Sequence, residues 1–295
     1  MTLDELADRH GRVVIAAELE RAGYDRNAIA TLRRNGQLVR LFHRTYAVPP
    51  VTEHGFVLAC RGAVRYGGRG ATLVGESALA FGTAYPPPLA PAVGVPRPRR
   101  VRSTPGLRAF TCADEVLRGR NEHGVRVQAA PLAVAWSWST MGSLHDRRAV
   151  LCEAVRLGLT TCGDVPRVTG RWVRDAASLR EACDHVAAGC ESPAEIDYLI
   201  EVERAFGLPP GERQSIVEIP GGRHRRVDVR YGDLVVEIDG MHHDVADDAG
   251  RDVVLRALGL RVPRVPAADV RHRPGVVAAT VRAALADPTL ARTSA

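Results

Sequence analysis

Two runs of alternating side chains, RVDVRY over 226 to 231 and LVVEID over 234 to 239, flank Gly232-Asp233 and leave little choice of local fold. Period-two alternation marks half-buried strands, and a Gly-Asp pair between such runs marks a two-residue hairpin turn. A turn of that length sets the register by counting. Tyr231 then faces Leu234, Val229 faces Val236 and Val227 faces Ile238, giving one continuous apolar face for a core. The other face is polar, with Asp228 opposite Glu237 and Arg226 opposite Asp239. Like charges facing each other across a sheet are unfavourable by up to about 1 kcal/mol, so the two acids require a compensating partner. A divalent cation supplies one. Hard cations such as magnesium take carboxylate oxygens, water and substrate phosphate, which is the chemistry of phosphodiester cleavage. The plainer alternative is that Asp239-Gly240 only ends the strand, and that Arg226 neutralises Asp239 as a surface pair of small weight.

The wider pattern around this hairpin resembles a known family. Ser192-Pro193-Ala194-Glu195, Asp228, Val236-Glu237-Ile238-Asp239-Gly240, His243, Asp252, Arg256 and the Gly259 to Arg264 segment are similar to the endonuclease-like "domain of unknown function 559" over about residues 190 to 285. That family is related to the very short patch repair endonucleases and has the restriction-endonuclease fold. The resemblance implies a hairpin carrying acidic metal ligands, here Asp228 and Glu237, with Glu195 from a preceding helix orienting water or a second metal. It also implies magnesium or manganese as cofactor, with Asp239 as a further ligand. One position departs from the pattern. Nucleases of this superfamily usually place a lysine one residue beyond the second acid, where this chain has Asp239. All 40 basic side chains are arginine, which is too basic to accept a proton near neutral pH. The proton acceptor is then a carboxylate or a histidine, and His242 and His243 are the candidates, the alternative for the doublet being a solvated loop.

Asp247 to Gly259 reads as a helix, with Val253, Val254, Ala257 and Leu258 on one side and Arg251, Asp252 and Arg256 on the other. The resemblance implies phosphate contacts by Arg256 and Arg264; an ordinary solvated face with an Asp252 to Arg256 pair is the alternative. Leu260 to Val265 reads as a strand that Pro263 shortens or confines to an edge, and Pro274 to Ala286 as the last helix.

The other end of the chain has a different plan. Leu3 to Arg9, Ile15 to Ala22 and Asp25 to Asn35 read as three short helices, the third capped by Asp25 and ended by Gly36, followed by strands Leu38 to Leu41 and Thr45 to Val48. This is a winged helix-turn-helix plan. The third helix carries Arg26, Asn27, Arg33 and Arg34, residue types that contact phosphates and read base edges in a major groove, and Arg40, His43 and Arg44 lie on or beside the wing tip. GRVVIAAELERAG, the arginine-rich helix and NGQLVRLFHRTYAV together resemble the N-terminal winged helix of the AbiEi-type antitoxins over residues 1 to 50. Where that family often has glycine before the wing tyrosine, this chain has Thr45. Winged helices also serve as protein contact modules, which stands as the alternative.

A chain of 295 residues accommodates two or three domains, and three are expected: a DNA-binding winged helix at 1–50, a middle α/β region at 51–189, and an endonuclease-like α/β core at 190–295. The expected class is therefore α+β or α/β, multidomain. Residues 1–50 hold 8 arginines and 6 acids, residues 51–190 hold 18 and 11, and residues 191–295 hold 14 and 17. The excess of +6 thus sits in the front two thirds while acids gather at the back, which suits nucleic acid in front and a cation behind. An arginine-rich, lysine-free chain can equally reflect genomic base composition. Tyr85 to Arg102 is proline-rich, with PPPLAPAVGVPRPRR reading as an exposed loop; Arg97, Arg99, Arg100 and Arg102 are a phosphate clamp or a solvated run, and Trp136 and Trp138 read as core. The six cysteines lack metal-ligand spacing, and no signal peptide or membrane-length apolar run is present, so reduced thiols and a cytoplasmic location without membrane are expected.

These readings converge on a DNA-binding protein with a magnesium-dependent, phosphodiester-cleaving C-terminal domain. The alternative is a non-catalytic, antitoxin-like regulator whose nuclease-like domain only binds, with a cognate toxin or self-association as partner. RNA stays open as a substrate, because arginine contacts to phosphate do not separate the two polymers.

Overall fold

Local capping rules account for how the chain begins. Thr2 and Glu5 form a reciprocal capping box, Thr2 N donating to Glu5 Oε2 at 2.9 Å and Glu5 N to Thr2 Oγ1 at 3.2 Å, which starts α1 (Leu3–Asp8). The computed structural model describes residues 1–52, 55–239 and 253–286. Over these the protein is mixed α and β with three sheets, and it divides into two compact units, Met1–Thr140 with Ala154–Ala176 and Met141–Glu153 with Ala177–Ala295.

In the first unit, β1 (Val13–Ile15), α2 (Ala16–Arg21), α3 (Arg26–Arg34), β2 (Val39–Phe42) and β3 (Thr45–Ala47) follow α1, and the strands pair in the order β1-β3-β2. Asp25 caps α3, its Oδ1 accepting from Ala28 N at 2.7 Å. Leu6, Val14, Leu19, Ile29, Leu38 and Tyr46 fill the centre. Ile15, expected to open the second helix, instead ends the strand Val13–Ile15, in which Val14 lies opposite Tyr46, and α2 begins one residue later.

Next comes α4 (Gly55–Gly67), which packs on β1, β2 and β3 and also on a five-stranded sheet. Gly62 permits the close approach, since a Cβ there would lie 2.9 Å from Leu41 Cδ1 and 3.0 Å from the Phe42 ring. The larger sheet has the order β6-β5-β4-β8-β7, built from β4 (Thr72–Leu73), β5 (Ala92–Pro96), β6 (Arg108–Cys112), β7 (Gly119–Glu122) and β8 (Val125–Gln128). The proline-rich stretch expected as an exposed loop therefore contains a buried interior strand, Ala92–Pro96, with prolines only at its ends, where a missing N–H does not interrupt the ladder. Trp138 is fully buried, and half-buried Trp136 meets Phe110 edge-on at 5.5 Å. Among the described residues no helix is long and apolar enough to cross a membrane.

The second unit is organised by a four-stranded sheet of order β12-β11-β10-β9, from β9 (Glu212–Ile219), β10 (Arg223–Tyr231), β11 (Leu234–Asp239) and β12 (Arg264–Pro266). The hairpin register matches the count from the turn at Tyr231↔Leu234 and Val229↔Val236. Beyond Val236 it departs. The Asp228 carboxylate accepts from Ile238 N at 2.8 Å, taking up the amide that an ideal hairpin would give to a backbone carbonyl, and Val227 joins Val217, Val235, Leu255 and Val262 in a second cluster. The expected continuous apolar face thus shortens. Its remainder packs on Tyr198, Val202, Val270, Val277 and Val281 from helix Pro193–Asp197 with its π-helical continuation Tyr198–Arg204, and from helices Ala267–His272 and Pro274–Ala286. As expected of a strand broken by Pro263, β12 is three residues long and lies at an edge.

Candidate functional site

Two surfaces carry the residues singled out from the sequence. In the second unit, Ser192 caps helix Pro193–Asp197, its Oγ accepting from Glu195 N at 3.2 Å, and this sets Glu195 at the first turn. Glu195 is 4% exposed, and its Oε2 accepts from Glu191 N at 3.0 Å and from Gln214 Nε2 at 2.7 Å. Burial, with the nearby Asp228 charge adding to it, pushes the Glu195 carboxyl above its ordinary value against those hydrogen bonds. Glu195, Asp228 and Glu237 line one cleft of about 390 Å³ together with Glu191, Gln214, His224, Arg225 and Arg226.

Several expected roles move. Asp239 does not line the cleft; its Oδ1 is 2.7 Å from Arg264 Nη1. Arg226, which the plainer alternative pairs with Asp239, pairs instead with Glu191, and Arg225 Nη2 lies 3.5 Å from Glu237 Oε1. His242 and His243 fall outside the described residues, as do Arg251 and Asp252. Arg256 is exposed, in helical residues described over 253–257. Sequence reasoning missed His224, Arg225 and Gln214. Gln214 sits across from Asp228, between the pairs Val227↔Ser215 and Val229↔Arg213, and holds a positive φ of 50° inside a strand. Such backbone strain is costly and concentrates at sites where a side chain must be aimed, here at Glu195. No residue type announces it.

The cleft offers the carboxylate oxygens a hard cation takes, alongside the His224 imidazole and the Arg225 and Arg226 guanidinium groups, which disfavour one. Asp228 and Glu237 are the residues that would hold it. In the arrangement described, Asp228 is engaged by Ile238 N and Glu237 by Arg225, and among the described residues no three His, Cys, Asp or Glu side chains form a metal-holding group.

The second surface is α3. At ~100° per residue, Arg26, Asn27, Ala30, Arg33 and Arg34 fall within an arc of about 120°, while Ile29 and Leu32 point to the core side. Arg26, Asn27, Arg33 and Arg34 are all exposed. Arg34 Nη2 donates to Thr31 Oγ1 at 3.0 Å, whereas Arg26 and Arg33 have no carboxylate partner among the described residues. Arg44 differs from expectation in its surroundings: it occupies the β2–β3 turn at φ 54° and pairs with Glu20 at 2.6 Å. A turn without glycine is thus made by arginine in the left-handed region, with Thr45 buried beside it.

Comparison with known proteins bears on the second of these surfaces. Residues 1–49 match the family described as "Transcriptional regulator, AbiEi antitoxin". Among solved structures, the crystal structure of the RV2827C protein from Mycobacterium tuberculosis is similar over 67% of this chain and 78% of that one, at 19% identity and a TM-score of 0.39. No curated protein matches.

Proposed function

We propose that this protein is a DNA-binding transcriptional regulator of the antitoxin kind, with a winged helix over residues 1–50, a middle α/β region and an endonuclease-like C-terminal domain. The exposed arc of Arg26, Asn27, Arg33 and Arg34 on α3 carries this reading, and the family match over residues 1–49 supports it. A helix presenting arginine and asparagine on one face fits a major groove, where arginine reads guanine and asparagine reads adenine. A toxin or a second copy of the chain is the partner to seek. None of the six cysteines forms a disulfide, and burial pushes Cys60 up to about 12 and Cys112 and Cys190 up to about 11, which fits unreactive thiols at those three positions and a reducing cytoplasm. The test is duplex binding by the whole protein beside Arg33→Glu/Arg34→Glu. Binding that survives both reversals, or that is absent from the native protein, overturns the reading.

A second reading, metal-dependent phosphodiester cleavage, is favoured by one observation: Glu195, Asp228 and Glu237 line a single cleft. A bound magnesium or manganese ion would supply Lewis acidity and an activated water there. Arg225 and Arg226 would orient a phosphate, and His224, which lines the cleft, joins His242 and His243 as a candidate to move a proton. Supercoiled plasmid incubated with either metal, beside Glu237→Gln and an EDTA control, tests it. Metal-dependent nicking lost in the variant supports cleavage; tight binding without nicking leaves the regulator. Asp228→Asn is the cleaner companion variant, because the amide oxygen can still accept from Ile238 N.

A further inference from the structure

The arginines of the first unit divide into two sets. Arg12 pairs with Asp4 and Asp8, Arg44 with Glu20, Arg65 with Glu18, and Arg120 with Glu122. These neutralise acids and hold the fold. Arg40 and Arg102 belong to the other set: both are exposed, and neither has a carboxylate partner among the described residues. They are far apart in sequence, yet both line one open cleft of about 640 Å³ with His43 and Tyr66, and no acid lines it.

The segment that carries Arg102 is firmly held. Tyr66 Oη donates to Arg102 O at 3.0 Å, Ala109 N donates to Ser103 Oγ at 3.0 Å, and Thr104 and Leu107 exchange backbone bonds at 3.1 and 2.9 Å. Upstream, Arg99 Nη1 donates to Arg69 O at 2.6 Å, so its guanidinium is spent on carbonyls. The opposite wall is β2, which packs on the same helix α4 that supplies Tyr66. Both walls are therefore fixed to one rigid element. With both backbones held, the two guanidinium groups stay on the walls of one cleft, and binding an extended anion costs side-chain entropy without ordering a loop.

We propose that this cleft binds the phosphodiester backbone of duplex DNA, so that the contact surface extends past the winged helix onto the Arg102–Pro105 segment of the middle region. This rests on the DNA-binding reading given above. Each phosphate neutralised by an arginine steepens the salt dependence of binding by about 0.9 in the log–log slope, so Arg40→Gln/Arg102→Gln lowers it by about 2. Because neither side chain has an ion-pair partner among the described residues, the thermal midpoint should stay unchanged, and Arg40→Lys/Arg102→Lys should restore the slope.

The experiment measures affinity of the full chain for a random-sequence duplex across a salt series, for the native protein, the Gln pair, the Lys pair and Arg33→Gln/Arg34→Gln. A slope reduced by about 2 in the Gln pair and restored in the Lys pair supports the cleft. If the native protein binds and Arg33→Gln/Arg34→Gln weakens it while the Gln pair keeps the native slope, this inference falls and the regulator reading stands. If the native protein binds no duplex, both fall. A slope change seen with single-stranded RNA and not with duplex overturns the duplex assignment in favour of RNA.

Discussion

Replacing Arg65 with methionine isolates what holds the first fifty residues against α4. Arg65, in the last turn of α4, forms an ion pair with Glu18 of α2, whose side chain is 10% exposed against 28% for Arg65. Glu18 also accepts from Ile15 N at 3.1 Å and lies 3.6 Å from His10 Nε2. Removing one partner of a fully buried pair costs about 3–5 kcal/mol, because a charge is left without compensation. Arg65 keeps more than a quarter of its side chain in water, so the expected loss here is about 2 kcal/mol, or roughly 4–8 °C in midpoint. Thermal and urea unfolding of Arg65→Met, Glu18→Gln and the double variant measure it, and the double variant should lose less than the two single losses combined. The pH dependence has a definite sign. Burial raises the Glu18 carboxyl, but the Arg65 and Ile15 hydrogen bonds outweigh it and hold it below its ordinary 4.5. A depressed acid contributes stability above its unfolded value, and that contribution is lost as pH falls through the folded value. In Arg65→Met the burial penalty remains, opposed by the Ile15 bond and the weaker pull of His10, so the gap to native protein should be full at pH 7 and close toward pH 4. Additive single losses with a gap independent of pH would refute the coupling.

Glu195→Gln should leave stability unchanged or raise it by up to about 1 kcal/mol at pH 7, because a carboxyl raised by burial destabilises the folded state once pH exceeds its unfolded value; urea unfolding at pH 4 and 7 should show the difference only at the higher pH. Asp228→Ala should cost about 1–3 kcal/mol by stranding the Ile238 amide while Asp228→Asn costs under half as much, and equal losses in urea titrations would show that the bond contributes nothing. Gly119→Ala should lower the midpoint by several degrees, since a Cβ there would fall inside the Val127 carbonyl oxygen and neither backbone can yield; an unchanged scan would contradict the β7–β8 spacing.

What was legible followed from strong local chemistry. Asp25 and Gly36 bracket α3 as capping rules require, Gly232-Asp233 sets the hairpin register, and the last helix runs from Pro274 to Ala286 as its pattern predicts. What stayed hidden depended on neighbours distant in sequence. Val13–Ile15 is a strand because Tyr46 lies beside it, and three apolar residues running into a helix carry no period of their own. Ala92–Pro96 is an interior strand because β4 and β6 flank it, although the surrounding prolines advertise a loop. The acidic face was readable as a set of carboxylates, but its counter-charges were not. Arg225 and Arg226, adjacent on β10, serve Glu237 and Glu191, while Asp239 turns to Arg264 on the neighbouring strand.

The helix Gly55–Gly67 shapes how this chain could be recombined. The proline pair Pro49-Pro50 looks like a natural seam, yet the small three-stranded sheet is closed by α4, with Leu41 and Phe42 seated against Gly62. A head cut at residue 50 would leave that apolar surface open to water. Transplanting this head onto another chain would therefore mean moving everything through Gly67 as one cassette, or rebuilding the seat that Gly62 provides.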